Sequence, residues 1–317
     1  MSIAKEDLSV STSTTGGFAT EQAARLLRRL ALQIVRTTKS HGAAEVHDLR
    51  VAIRRFMCVL VVLKPCFRPK ESRRIRRRLK EIMVQAGSVR DCDIALRLVA
   101  KLAPSSGPLV RQLRTEREEA TRALAASLRC WVRRNLTAKW WVALEGEGGA
   151  QEFSANAVKV TARRIMPWMA KEYFRCGKDA ARDQAPAEEL HRFRIAAKNF
   201  RYALDLFAPL YGASANGLIQ QLKDIQTLLG EVNDCATVGR MVSRHKGGRE
   251  ILAALKKRQR KKAEEFRQHW TAAFSSAAAV RRWTDNLRHV GDQPRVARKP
   301  PARSARAALV TKRPATA

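Results

Sequence analysis

The chain has 317 residues, enough for one large domain or two medium ones with sizeable cores. Its 62 Lys and Arg against 29 Asp and Glu give a formal net charge of +33, so a polyanionic partner such as nucleic acid, polyphosphate or an anionic membrane surface is the first expectation. The longest apolar run, residues 56–63, is far below the roughly 18 to 20 residues that span a bilayer, which excludes a membrane-spanning helix.

The chain begins with a stretch rich in Ser, Thr and Gly, which predicts a flexible leader over residues 1–19. Apolar residues then recur every three or four positions, which predicts one helical bundle over 20–145 and a second over 156–290. A glycine-rich linker, 146–155, separates them. The tail, 291–317, is basic and proline-rich and is predicted to be disordered. The tail could add non-specific affinity for nucleic acid or simply remain solvated.

The cysteines are scattered without any C-x-x-C pair, and the N-terminus does not resemble a secretory signal. Reduced thiols and a cytoplasmic protein are therefore expected. The positions concerned are Cys58, Cys66, Cys92, Cys130, Cys176 and Cys235.

A segment of the first half recurs in the second at a shift of 144 residues, where HDLRVAIR from His47 aligns with HRFRIAAK from His191. Both helices are predicted to stop at a matching proline, Pro65 and Pro209. At a shift of 143, LKEI aligns with LKDI and GSVRDC with GEVNDC. Three blocks in the same order predict an internal duplication, with two helical bundles related by a pseudo-twofold axis.

One face of each motif helix is apolar and the opposite face is basic. Basic stripes are common on solvated helix faces, but here both copies place a histidine and two cations at i, i+3 and i+7, which favours a binding surface. The basic faces carry His47, Arg50 and Arg54 in the first copy, and His191, Arg194, Lys198 and Arg201 in the second.

The helix that follows the first motif has a further basic side, whereas its counterpart in the second half keeps only Lys223. Since like charges on one helix side repel, a bound anion would relieve that cost. An asymmetric groove is therefore expected, with the first half contributing more of the binding through Arg73, Arg76, Arg77 and Lys80.

These repeated segments resemble the CHAD domain, the conserved histidine α-helical domain, over residues from about 20 to 290. The resemblance implies two four-helix bundles around a central basic groove that binds inorganic polyphosphate, often on polyphosphate granules, where granule-associated proteins are further expected partners. It also implies that the basic residues of the two motifs, together with Lys80 and Lys223, face the ligand.

Some members of that family carry a triphosphatase module with an E-x-E-x-K strand, but here Glu145 and Glu147 stand in a glycine-rich connector without the lysine. The sequence also has no phosphate-binding G-x-x-x-x-G-K-[ST] loop and no cluster with metal-ligand spacing. We therefore expect a non-catalytic protein with no catalytic residues, metal or cofactor. A phosphohydrolase acting on polyphosphate is the less favoured alternative.

Nucleic-acid binding is the strongest competing interpretation, because residues 256–262 form a basic run in addition to the tail. Aromatic residues make up only 6% of the chain and no reader motif is present, which disfavours it. The role of the two histidines is also open. Each could donate to phosphate directly, or order the groove through an internal partner such as Asp91 or Asp234, acids that are expected to pair with Arg or His.

Overall fold

The computed structural model describes residues 9–102, 107–145, 155–212, 214–245, 248–274 and 276–288. These residues are helical almost throughout and include no strand, which confirms the predicted all-α class. The elements are α1 (Ser9–Lys39), α2 (Ala43–Val62), a short 3₁₀ turn (Lys64–Cys66), α3 (Pro69–Leu102), α4 (Gly107–Arg133), α5 (Leu136–Glu145), α6 (Ala155–Ala180), α7 (Ala187–Tyr211), α8 (Ser214–Val242), α9 (Arg249–Phe274) and α10 (Ala277–Arg288).

The order of helices occurs twice. In the first half α1 packs on α2, α2 on α3 and α3 on α4, and in the second half α6 packs on α7, α7 on α8 and α8 on α9. Each half ends in a short fifth helix, α5 or α10. Equivalent helices also contact one another across the two halves, α1 with α6, α2 with α7 and α3 with α8. This is the pairing that a duplicated pair of bundles produces around a twofold axis.

Apolar residues at three- and four-residue spacing decide which face of each motif helix is buried. Leu49, Ile53 and Phe56 of α2 are fully buried. On α7 the same register buries Phe193 and Phe200. The basic residues of the two motifs are thereby turned away from the core of their own bundle.

The two halves share their cores. One large cluster of buried residues contains members from both halves, for example Phe56 and Phe207. A smaller cluster lies at the C-terminal ends of α3 and α8 and the N-terminal ends of α4 and α9. It joins Leu98 and Leu113 of the first half to Val238 of the second. Moving one bundle against the other would therefore open both clusters, which makes a rigid platform.

The predicted leader is shorter in the structure than in the sequence analysis. Helix α1 begins at Ser9, Ala19 is fully buried, and the ring of Phe18 lies 6.3 Å from that of Phe207. These apolar contacts fix the last two residues of a stretch that composition alone marked as flexible. Residues 1–8, the linker except Ala155, and the predicted tail lie outside the described residues.

One predicted helix end is confirmed and one is wrong. Helix α2 stops at Val62, just before the 3₁₀ turn that contains Pro65. Helix α7 instead includes Pro209 and continues to Tyr211, followed by Gly212 with φ of +56°. A proline in the last turn removes one hydrogen bond only, and a left-handed glycine is the more effective terminator.

All six cysteines are unpaired. Burial raises the pKa of the Cys92 thiol and of the Cys66 thiol to about 11. Such thiols stay protonated at neutral pH and behave as small apolar side chains. Among the described residues, no helix is long and apolar enough to cross a membrane.

Candidate polyanion-binding site

The two basic stripes meet where α2 contacts α7. The charges of Arg50 and Arg54 on α2 act on Arg194 and Lys198 on α7, so that four cations from the two repeats lie within electrostatic reach of one another. Helices α3 and α8, which also contact each other, supply the remaining charges. We call the whole set the central cluster: His47, Arg50, Arg54, Arg90, Asp91, Arg97, Arg194, Lys198, Asp234 and Arg240.

Arg50 is held against α3. Its Nη1 donates a hydrogen bond to the carbonyl oxygen of Met83, at 3.1 Å. Directly beside it, a Cβ atom placed on Gly87 would lie only 2.9 Å from that Nη1. The absence of a side chain at position 87 therefore lets the guanidinium lie close to the helix. The equivalent Gly230 has no atom within 4 Å of such a Cβ, so the second repeat does not use its glycine in this way.

Two carboxylates lie inside the central cluster, one from each repeat. Oδ2 of Asp234 lies 3.9 Å from Nη2 of Arg97, with which it forms an ion pair. Asp91 lies within electrostatic reach of Arg50 and Arg194. Burial raises the pKa of both carboxyl groups, and the nearby arginines oppose that rise. Both acids therefore have arginines as their nearest charged partners.

Cations in the central cluster repel one another, and their pKa values show it. Burial, followed by the charge of Arg54, lowers the pKa of Lys198 to about 6, and the same two causes lower that of Arg50 to about 10. Burial and the charge of Arg90 lower the pKa of His47. Lys198 and His47 are thus largely neutral at pH 7. Six guanidinium groups still face only two carboxylates.

The two histidines are exposed at the edge of the site. Asp48, the neighbour of His47, is the carboxylate that acts most strongly on that imidazole. No hydrogen bond joins His47 or His191 to the acids of the central cluster within the part of the chain that the structure describes. His191 instead lines a pocket together with Arg194. This placement favours direct donation to a ligand over ordering through an internal carboxylate.

The remaining basic residues predicted on α3 lie along the helix from the central cluster. Lys80 is seven residues before Gly87 on the same helix face, about 10 Å away, and Arg73 is about 21 Å away. The Nε atoms of Arg73 and Arg76 donate to carbonyl oxygens of their own helix, and Arg77 is exposed. These residues extend the basic surface without joining the central cluster. Lys223 is exposed and lies seven residues before Gly230 on α8.

Arg201 makes internal contacts rather than facing the groove, in contrast to the prediction. Its Nε donates to Oε1 of Gln226 on α8 at 2.8 Å, its Nη1 lies 3.4 Å from Asp205, and its guanidinium stacks 4.5 Å from the ring centre of Tyr202. Gln226 in turn donates to the carbonyl oxygen of Ala197 on α7. Arg201 therefore ties α7 to α8.

Three arginines of the central cluster were not among the predicted site residues: Arg90, Arg97 and Arg240. The alignment of the two repeats could have identified these arginines from the sequence. At the shift of 143 that aligns the two glycine-led segments, Arg97 falls on Arg240, and the segment itself contains Arg90. Extending the alignment by five residues would have identified the other two.

The cluster does not resemble a metal centre. Over the described ranges, no group of three or more His, Cys, Asp or Glu side chains is placed to hold a metal ion. Both carboxylates within the cluster face arginines instead.

The fold and this site define a class of protein, namely a duplicated all-helical protein whose two repeats present cations to one another. The sequence profile of the CHAD domain matches residues 21–243, and the chain belongs to the CHAD domain family. No functionally curated protein matches the chain.

Two solved structures share the fold. The CHAD domain from the plant Ricinus communis is 20% identical, with a TM-score of 0.56, and the match covers 91% of this chain and 95% of that one. PptA from Streptomyces chartreusis is 18% identical, with a TM-score of 0.57, and the match covers 83% of this chain and 98% of that one.

Proposed function

We propose that this protein binds inorganic polyphosphate along the central cluster without hydrolysing it. The observation that carries the proposal is the convergence of Arg50, Arg54, Arg194 and Lys198 from the two repeats on one partly buried surface. Because rigid helices hold these groups together, their mutual repulsion is present before any ligand arrives. A polyanion removes that repulsion on binding, and its condensed counterions are released.

The chemistry of the central cluster suits a phosphate chain without bases. Arginine can grip phosphate oxygens through a two-pronged fork, whereas lysine acts as a mobile point charge. Single-stranded nucleic acid is usually held by aromatic rings on which its bases stack. On α7 the rings of Phe193, Phe200 and Phe207 are buried in the core, and Tyr202 lies beneath Arg201. The groove therefore favours a ligand that requires charge alone.

Binding without turnover follows from the same arrangement. Hydrolysis of a phosphoanhydride bond requires carboxylates that hold Mg²⁺, or an activated nucleophile. Asp91 and Asp234 are within reach of arginines, which already balance their charge. With this function the protein would reside in the cytoplasm on polyphosphate granules, where the bound chain could also serve as an address for granule-associated proteins.

Nucleic acid is the second candidate because α9 carries exposed cations without ion pairs among the described residues, such as Lys256, Lys257 and Arg260. A competition experiment separates the two ligands. Labelled polyphosphate bound to the full-length protein is displaced by DNA, RNA or unlabelled polyphosphate at matched phosphate concentration and physiological salt. We expect polyphosphate to displace the label far better. Equal displacement by DNA or RNA would contradict a polyphosphate preference.

A second measurement tests turnover. The protein is incubated with long-chain polyphosphate and Mg²⁺, and both free phosphate and chain length are followed. We expect both to stay at the level of a protein-free control, and chain shortening that depends on protein concentration would show an enzyme.

A further inference from the structure

A pocket of about 590 Å³ opens inside the second bundle, between α7, α8 and α9. Its polar lining includes His191, Arg194, Asn233, Arg240 and Gln259. Because Arg194 and Arg240 also belong to the central cluster, the pocket is a side chamber of the proposed binding surface.

The first bundle has an ion pair where the second has this pocket. Arg117 on α4 donates from Nε to Oδ1 of Asp93 at 2.6 Å, and from Nη2 to the carbonyl oxygen of His41 at 2.8 Å. At the shift of 143, Asp93 corresponds to Ala236. At a shift of 142, Arg117 corresponds to Gln259. That register on α9 is set by buried pairs along the two helices: Leu113 with Leu255, Leu124 with Phe266, and Leu128 with Trp270.

The second repeat therefore lacks both members of the pair, and Ala236 and Gln259 both line the pocket. A long arginine side chain has been replaced by a shorter glutamine, and a carboxylate by a methyl group. Leu229 of the large core cluster also lines the pocket. The pocket thus lies where the ion pair of the first bundle has no counterpart.

The electrostatics of the pocket favour an anion. The Nε of Arg194 is buried and has no hydrogen-bond partner among the described residues. The first turn of α7 also lines the pocket. The N–H groups of Glu189 and Leu190 donate to the carbonyl oxygen of Pro186, whereas no side chain caps those of Ala187 and Glu188, which remain to donate to an anion. Glu188 is the carboxylate in the lining and lies exposed. Arg194 and Arg240 outweigh its single charge.

We propose that this pocket binds a compact, multiply charged phosphate group, supplied either by the end of a polyphosphate chain that lies in the central cluster or by a free oligophosphate. This inference rests on the proposed function. A terminal phosphate carries up to two negative charges near neutral pH, whereas each internal phosphate carries one, so the terminal group gains more from paired arginines. The side-chain amides of Asn233 and Gln259 supply neutral donors in the same lining.

The decisive variant closes the pocket by restoring the pair of the first repeat. Ala236→Asp combined with Gln259→Arg leaves the net charge unchanged and fills the chamber. The matched control, Ala253→Asp with Gln112→Arg, makes the same two changes at exposed positions of α9 and α4. Circular dichroism and thermal unfolding confirm that each full-length variant is folded.

Isothermal titration with linear tripolyphosphate gives the first result. We expect one tripolyphosphate per natural protein, and affinity at least about tenfold weaker in the pocket-closed variant, which corresponds to ~1.4 kcal/mol. The control should bind like the natural protein. Equal tripolyphosphate affinity in the pocket-closed variant would overturn the inference, as would no binding to the natural protein when long chains do bind. Failure of long chains to bind the natural protein would instead overturn the proposed function.

Long chains with blocked ends distinguish the two sources of the phosphate group. If the pocket holds a chain end, chains whose termini are converted to bulky phosphoramidates bind the natural protein more weakly than free-ended chains, and the difference disappears in the pocket-closed variant. If both kinds of chain bind alike while tripolyphosphate still requires the open pocket, a free oligophosphate is the occupant.

Discussion

The contact between Gly87 and Arg50 yields the sharpest prediction about the central cluster. In the Gly87→Ala variant, the new Cβ would approach Nη1 of Arg50 to 2.9 Å, closer than side chains normally come. The guanidinium is the end of a flexible side chain, so it will move and leave the carbonyl of Met83 rather than unfold the helix. Gly230→Ala is the matched control, because it makes the same change at the equivalent helix position with no atom nearby.

The expected magnitudes follow from two opposing effects. Replacing glycine by alanine within a helix stabilises it by roughly 1 kcal/mol. At position 87, loss of the bond between Arg50 and Met83 costs about 1 kcal/mol and cancels that gain. Gly230→Ala should therefore raise the free energy of unfolding by about 1 kcal/mol, whereas Gly87→Ala should leave it nearly unchanged.

Urea unfolding measures the stabilities, and titration with labelled polyphosphate measures the affinities. A displaced Arg50 should weaken polyphosphate binding in Gly87→Ala about three- to tenfold, or ~1 kcal/mol, while Gly230→Ala binds normally. If the two variants are equally stabilised and bind polyphosphate equally, then the position of Arg50 against α3 has no role in binding and the reasoning is refuted.

Four further predictions concern proton uptake on binding, the pH dependence of stability, the partly buried ion pair and the tail. Polyphosphate should raise the depressed pKa values of Lys198 and His47, so binding takes up protons near pH 7 and tightens as pH falls; titration in buffers of different ionisation enthalpy measures this, and equal heats in all buffers would contradict it. The folded-state pKa of Lys198 is about 6, below its usual 10.5, so the unfolded chain binds more protons than the folded chain between these two pH values. The free energy of unfolding should therefore rise with pH across that window, and the stability attributable to this group is lost below it. Asp93→Ala should cost about 3 kcal/mol by leaving Arg117 without its carboxylate, and adding Arg117→Gln should recover part of that in urea unfolding; no recovery would argue against an unpaired charge as the cause. Deleting residues 293–317 should preserve most polyphosphate affinity at physiological salt, and complete loss would place the binding in the tail.

Much of the fold could be predicted from the sequence because local rules decide it. Apolar spacing identified the buried faces of α2 and α7, and the repeat predicted that equivalent basic stripes would face one another. The same rules failed where distant contacts decide. The contact of Phe18 with Phe207 fixes a residue that composition had assigned to the leader, and the position of Gly212 after Pro209 sets the end of α7.

The site was predicted in part for the same reason. Helix periodicity places Arg201 on the basic stripe, but whether it faces ligand depends on Gln226, a residue of another helix. The pocket beside Arg194 lies where α8 and α9 lack counterparts of Asp93 and Arg117. Such an absence can be recognised only when the two bundles are superimposed position by position.

The central claim is tested most directly by comparing polyphosphate affinity between two variants that each lose four Arg or Lys side chains. One replaces His47, Arg50, Arg54, His191, Arg194 and Lys198 with Ala. The other replaces four exposed arginines of α4 with Ala: Arg114, Arg122, Arg129 and Arg133. With helicity confirmed in both, the first variant should bind at least about 100-fold more weakly, or ~2.7 kcal/mol, with a shallower salt dependence, and the second should change by less than about threefold. Equal affinities in the two variants would show that net charge, and not the central cluster, binds the polyanion.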